Sequence, residues 1–158
     1  MKKQTKEIIN ILKSKNQTIS FAESCTGGRI VAEFTAIAGV SSVFNGSCVT
    51  YSNDIKHLWL GVSQELLDSF GAVSHECVAS MLTGIAKKSR SDYAIAVSGI
   101  AGPDGGTVSK PVGTVYIGIL TPEDAIVQKF RFDGDREAVQ NQAKEAAITL
   151  LREILTKC

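Results

Sequence analysis

Asp92-Tyr93-Ala94-Ile95-Ala96-Val97-Ser98 decides the architecture: a nearly unbroken apolar run that empties into the loop Gly99-Ile100-Ala101-Gly102-Pro103-Asp104-Gly105-Gly106. Such a run, bounded by turn residues, reads as a buried strand that needs helices to cover it. Upstream, Thr18-Ile19-Ser20-Phe21-Ala22 reads as a short strand, and Val43 to Tyr51 as another, rich in Val, Phe, Thr and Tyr. Helical stretches surround them: Lys3 to Lys15, with Ile8, Ile9 and Leu12 on one face, Arg29 to Ala38, and Asn53 to Leu60. Ser63 caps a further helix ending at Gly71, and Ser74 caps a longer one with Glu76 in its first turn. Downstream, Val112 to Leu120 and Ala125 to Phe132 flank Thr121-Pro122-Glu123-Asp124, the pattern of an antiparallel hairpin. Asp135 caps a last helix whose inner face holds Val139, Ala143, Ala147, Leu150, Ile154 and Leu155. The order α-β-α-β-ααα-β-β-β-α predicts an α/β fold, a three-layer α/β/α sandwich on a mixed, mostly parallel sheet of about five strands.

Length and composition narrow the classes of function. With 158 residues, 44% of them apolar, the chain suits a single domain over residues 1–158 with one real core. A net charge of +1, with Lys2, Lys3, Lys87, Lys88 and Arg90 scattered, gives no electrostatic footprint for nucleic acid. The cysteines Cys25, Cys48, Cys77 and Cys158 form no CxxC pair and only two histidines accompany them, so no metal-ligand spacing arises. The N-terminus carries no apolar signal core, and no run reaches the roughly 18 apolar residues of a membrane span. A reducing cytoplasm, without membrane attachment, is the expectation.

In open α/β sheets, ligands gather beyond the carboxyl ends of the strands. Three polar segments follow strands here: Glu23 to Gly28, Tyr51 to Lys56, and Ser98 to Gly106. Ser24 stands between a strand and a helix opened by Gly27-Gly28, where outward backbone N–H groups suit an anion or a developing oxyanion. Its position also fits a plain N-cap serine. Cys25 is a rival nucleophile or a small packed filler. Lys56 can serve as base to a serine if desolvation lowers its pKa, as in Ser-Lys dyads, or it is simply a solvated lysine. Lys56 is expected at the surface, so that replacing it leaves the fold intact. Tyr51, five residues earlier, can donate to Ser24 or relay for it. His57 neighbours Lys56 but points about 100° away on a helix, and no acidic residue orients it or His75. The glycine loop permits close backbone approach to a ribose or phosphate, or is a wide turn. Arg136, near a helix start, can clamp a phosphate or stand solvated.

Taken together, these segments resemble the CinA C-terminal domain family, whose members include stand-alone nicotinamide-nucleotide amidases. The resemblance rests on Ala22-Glu23-Ser24-Cys25-Thr26-Gly27-Gly28, Tyr51-Ser52-Asn53 with Lys56, Leu60-Gly61-Val62 and Gly71-Ala72-Val73-Ser74. It continues through Ser98 to Gly106, Lys110-Pro111-Val112-Gly113-Thr114-Val115 and Gly134-Asp135-Arg136, and so covers nearly the whole chain from Thr18. It implies hydrolysis of the carboxamide of nicotinamide mononucleotide to nicotinate mononucleotide and ammonia. Ser24 then matches the nucleophile, Lys56 the base and Tyr51 an assisting residue. Thr26, Gly27, Gly28, Asn53, Gly99, Ile100, Ala101, Gly102, Gly105, Gly106 and Arg136 match substrate-binding positions. The resemblance further implies a homodimer or higher homo-oligomer, a small nucleotide as the only partner, and no cofactor or metal. Backbone N–H groups near Thr26 and Gly27 are the expected oxyanion donors. A non-catalytic nucleotide- or partner-binding module of the same fold, or an amidase for another small amide, stays open at this level.

Overall fold

The computed structural model describes residues 1–157; Cys158 lies outside the described residues. In chain order the elements are α1 (Lys2–Ser14), β1 (Ile19–Glu23), α2 (Arg29–Thr35), a 3₁₀ turn (Val40–Ser42), β2 (Phe44–Val49) and α3 (Asn53–Leu60). They continue with α4 (Gln64–Phe70), α5 (His75–Ser89), β3 (Tyr93–Gly99), β4 (Thr114–Leu120), β5 (Ala125–Arg131) and α6 (Arg136–Lys157). The caps read from sequence are made: Ser63 Oγ accepts from Leu66 N–H at 3.1 Å, Ser74 Oγ from Cys77 N–H at 3.1 Å, and Asp135 Oδ1 from Ala138 N–H at 2.9 Å.

The sheet has the order β2-β1-β3-β4-β5. β1 pairs parallel with β2 and β3, and β4 runs antiparallel to both β3 and β5. Four strands therefore point one way and β4 alone returns, as a mixed, mostly parallel sheet requires. This direction puts the carboxyl ends of β1, β2, β3 and β5 at one edge, so the segments that follow all four strands emerge together.

Alternation along the strands assigns the helices to faces. Tyr93, Ile95 and Val97 of β3 pack with Ile19 and Phe21 of β1 against α1, α2 and α6. Ala94 and Ala96, in step with Ala22, face α3, α4 and α5. The large side chains lie on one face and the small ones on the other, so α5 comes close to the sheet. At Gly118 of β4 a Cβ would stand 2.7 Å from Leu82 and 2.8 Å from Val78 of α5, and only glycine lets the helix settle there.

The inner face of α6 differs from its sequence reading. Val139, Ala143, Ala147 and Leu155 are buried as expected, but the stripe runs between them through Ile148 and Leu151, and Gln140 joins it. Leu150 and Ile154 are only partly buried on its flank. The stripe keeps its i, i+4 rows from Val139 onward, whereas reaching Leu150 requires a shift to i+3 after Ala147. The second strand also ends earlier than expected, at Val49, which releases Thr50 and Tyr51 into the turn before α3.

Candidate active site

The parity of β1 carries into the turn that follows it. Glu23, in step with Ile19 and Phe21, turns toward α2. Ser24, in step with Ser20 and Ala22, turns toward α3. There Lys56 Nζ stands 3.1 Å from Ser24 Oγ. The same nitrogen donates to the carbonyl oxygens of Thr50 at 2.8 Å and Tyr51 at 2.9 Å. These two acceptors come from the residues released by the early end of β2. An amine held by two carbonyls has one remaining position, and that position faces the serine hydroxyl. In its neutral form Lys56 keeps both N–H bonds and turns its lone pair to Ser24 O–H.

Lys56 is 1% exposed, which corrects the expectation that it lies at the surface. Ser52 caps α3 by accepting from Ile55 N–H, and the helix aims its first inward-facing position into the core. Burial pushes the Lys56 amine below the usual lysine range, with Cys77 and Cys25 pulling weakly the other way. His57 takes no part: its Nδ1–H donates to Val62 O at 2.7 Å, and His75 is exposed. Burial pushes the Cys25 thiol up to about 12, so the rival nucleophile is a neutral thiol at physiological pH. Cys77, behind Lys56, is likewise raised to about 11 by burial.

The helix N-terminus that the sequence offers to an anion is already filled. Glu23 is fully buried, and its carboxylate accepts from Thr26 Oγ1 at 2.6 Å, Gly28 N at 3.0 Å, Ile30 N at 3.2 Å and Val31 N at 2.8 Å. The chain supplies its own anion to α2. Gly27 N–H is also engaged, donating to Ser24 O at 3.0 Å, which corrects the reading of Gly27 as an oxyanion donor. A glutamate beside a nucleophilic turn is legible as a residue but not as a cap, because it precedes the helix by six positions rather than standing at its N-cap.

A cleft of about 240 Å³ opens over this pair. Ser24, Cys25, Tyr51, Lys56, Gly99, Ile100, Ala101, Gly102, Gly105 and Arg136 line it. Thr26, Gly27, Gly28, Asn53 and Gly106 are not among its lining residues. Thr26 is fully buried, with its hydroxyl spent on Glu23; Gly27 and Gly28 are bound into the start of α2; Asn53 is exposed at the first turn of α3. Gly106 backs onto Val112 on the other side of the loop. Ser98, Asp104, Ala72 and Val73 line the cleft without having been assigned to it. The last two belong to the segment Gly71 to Ser74, whose small residues carry no chemical signal of their own.

Arg136 closes one side. Its Nη1 donates to Gly102 O at 2.7 Å and its Nη2 to Tyr51 Oη at 2.6 Å. Gly102 sits at φ +86°, a left-handed conformation that turns the loop back over the cleft. Three of the five guanidinium N–H groups stay available to a guest. Among the described residues, no group of three or more His, Cys, Asp or Glu side chains is arranged to hold a metal. No helix there is long and apolar enough to cross a membrane.

A serine, a buried lysine and an arginine thus meet at one glycine-lined cleft. The model of the CinA C-terminal domain matches residues 1–155. The chain belongs to the CinA C-terminal domain family. CinA-like proteins of Fervidobacterium nodosum and Endomicrobium trichonymphae are 47% and 50% identical over 151 and 145 residues, covering 96% and 92% of this chain. The chain spans only 37% and 34% of those two relatives' lengths. Among solved structures, a CinA superfamily protein from Klebsiella pneumoniae superposes with a TM-score of 0.94 at 37% identity, over 99% of this chain and 98% of that one. The competence/damage inducible protein CihA of Agrobacterium tumefaciens gives 0.93 at 37% identity, over 98% and 94%. The α/β/α architecture is thus the family's.

Proposed function

We propose that this CinA domain is an amidohydrolase acting through a Ser-Lys covalent mechanism, and that it deamidates nicotinamide mononucleotide to nicotinate mononucleotide and ammonia. The observation that carries the reading is the buried amine of Lys56, tied to two carbonyls and facing Ser24 Oγ. Neutral Lys56 takes the Ser24 proton as Oγ attacks the carboxamide carbon, and the carbonyl becomes an oxyanion. Collapse of the tetrahedral intermediate breaks the C–N bond, and the Lys56 ammonium returns the proton so that ammonia leaves. Water then gives a proton to Lys56 and attacks the Ser24 ester, which releases the carboxylate and restores the hydroxyl.

The cleft supports a small substrate. It falls below the ~300–1,000 Å³ of drug-sized ligand pockets. Arg136 supplies a cation to the cleft, which suits a phosphate-bearing guest, and it orients Tyr51 Oη. Ammonia release from nicotinamide mononucleotide by the purified protein, compared with Ser24→Ala, tests the reading. The wild type should turn over and the variant should lose at least about 1,000-fold in kcat, the scale of losing a nucleophile. Equal rates would leave a binding module, and equal kcat/KM on phosphate-free nicotinamide would remove the phosphate role from Arg136. Assembly into a homodimer or higher homo-oligomer belongs to the same proposal, and light scattering on the purified protein reads it.

A further inference from the structure

We infer that Gln140 is a positioning residue for the oxyanion site: by holding the Cys25 carbonyl it aims the amides of the nucleophile turn. The inference rests on the Ser-Lys reading of the site. Gln140 lies on the buried stripe of α6, 7% exposed among Val139, Ala143 and Ala147. Its Nε2 donates to Cys25 O at 2.9 Å, across 115 residues of sequence. Arg136, one helical turn earlier on the same face, holds Gly102 and Tyr51. Two residues spaced i, i+4 on one helix therefore grip all three segments that converge on the cleft.

The effect of the Gln140 bond follows from the planar peptide. The bond between Cys25 and Thr26 is trans, since the one cis peptide found is Gly102–Pro103. In a trans peptide the C=O and the next N–H point in opposite directions. Fixing Cys25 O thus fixes that peptide plane and holds the backbone of Cys25, which lines the cleft, whereas Thr26 is fully buried. The Cys25 amide matters because the amides further along the turn are spent. Gly27 N–H goes to Ser24 O, and those of Gly28, Ile30 and Val31 go to Glu23. Among the described residues, the amides of Ser24, Cys25 and Thr26 have no intramolecular acceptor. Ser24 and Cys25 line the cleft, so their amides are the donors left to an oxyanion there, which is stabilised only by donors already pointed at it.

Acylation of Ser24 by p-nitrophenyl acetate reads this independently of the natural substrate, through p-nitrophenolate release and the mass of the Ser24 peptide. Gln140→Met keeps length and apolar packing but removes the donor. Gln140→Glu keeps shape and, when ionised, presents only acceptors to Cys25 O. Both variants should acylate about 10- to 100-fold more slowly than wild type, with the Lys56 inflection of the pH profile unmoved. On nicotinamide mononucleotide the loss should fall on kcat, with KM within about twofold. If Gln140→Met does not fold, Gln140→Glu carries the comparison. An acylation rate within about twofold of wild type in either folded variant overturns the inference, as does a wild type whose Ser24 is not acylated. A wild type that acylates and shows the Gln140 dependence, yet releases no ammonia from the nucleotide, sinks the substrate assignment and leaves the positioning role standing.

Discussion

At the scale of the residue, Lys56 carries the most chemistry. Its amine is desolvated, and its folded-state pKa lies below the unfolded value of about 10.4. Between those two values the unfolded chain binds a proton that the folded chain does not. Stability contributed by this group therefore rises with pH across that window, and its penalty is fully present below it. Activity moves the same way, because only the neutral amine accepts the Ser24 proton. We expect kcat/KM to rise with pH through an inflection below about 10.4, absent in Lys56→Met. A pH-rate profile without that inflection removes Lys56 as the base. Lys56→Met should cost about 10²- to 10⁴-fold in kcat. Because Thr50 O and Tyr51 O lose a shared donor, urea unfolding should also register a change, on the order of 1–3 kcal/mol of lost hydrogen bonding offset by removal of a buried amine.

At the scale of the element, the contact of α5 with the sheet depends on small residues: Ala94, Ala96 and Gly118. Gly118→Val places atoms where Leu82 and Val78 already stand. It should cost about 1–3 kcal/mol and lower the melting temperature by several degrees, at about 2–4 °C per kcal/mol for a chain of this size. Differential scanning calorimetry checks this; an unshifted transition means α5 can retreat freely. The turn between β1 and α2 shows a different economy. Glu23 fills the helix N-terminus from within, so the turn is held before any substrate arrives, and an external anion gains nothing at the amides of Gly28, Ile30 and Val31.

At the scale of the whole molecule, the element order and the hairpin were legible because buried strands and capped helices leave local signals. Ser63, Ser74 and Asp135 announce their helices, and Asp92 to Ser98 announces the central strand. What was not legible depends on parity and partners. Lys56 reads as a surface lysine until β2 stops at Val49 and turns two carbonyls toward it. Gln140 reads as a polar residue on a helix until the β1–α2 turn comes to rest beside it. Asp104 sits in a loop whose glycines dominate the pattern, and its place on the cleft follows only from how the loop folds back.

The cleft draws on both cores: Lys56 belongs to the helices on one face of the sheet, Arg136 and Gln140 to those on the other. A small molecule seated there spans the two layers, so its binding energy is coupled to the cohesion of the entire domain rather than to a local flap. At about 100 times Kd such a ligand should add about 2.7 kcal/mol to stability. Thermal-shift screening of phosphorylated amides would then register occupancy whether or not turnover follows, and a nucleotide that leaves the melting point unmoved at that concentration does not bind the folded domain selectively.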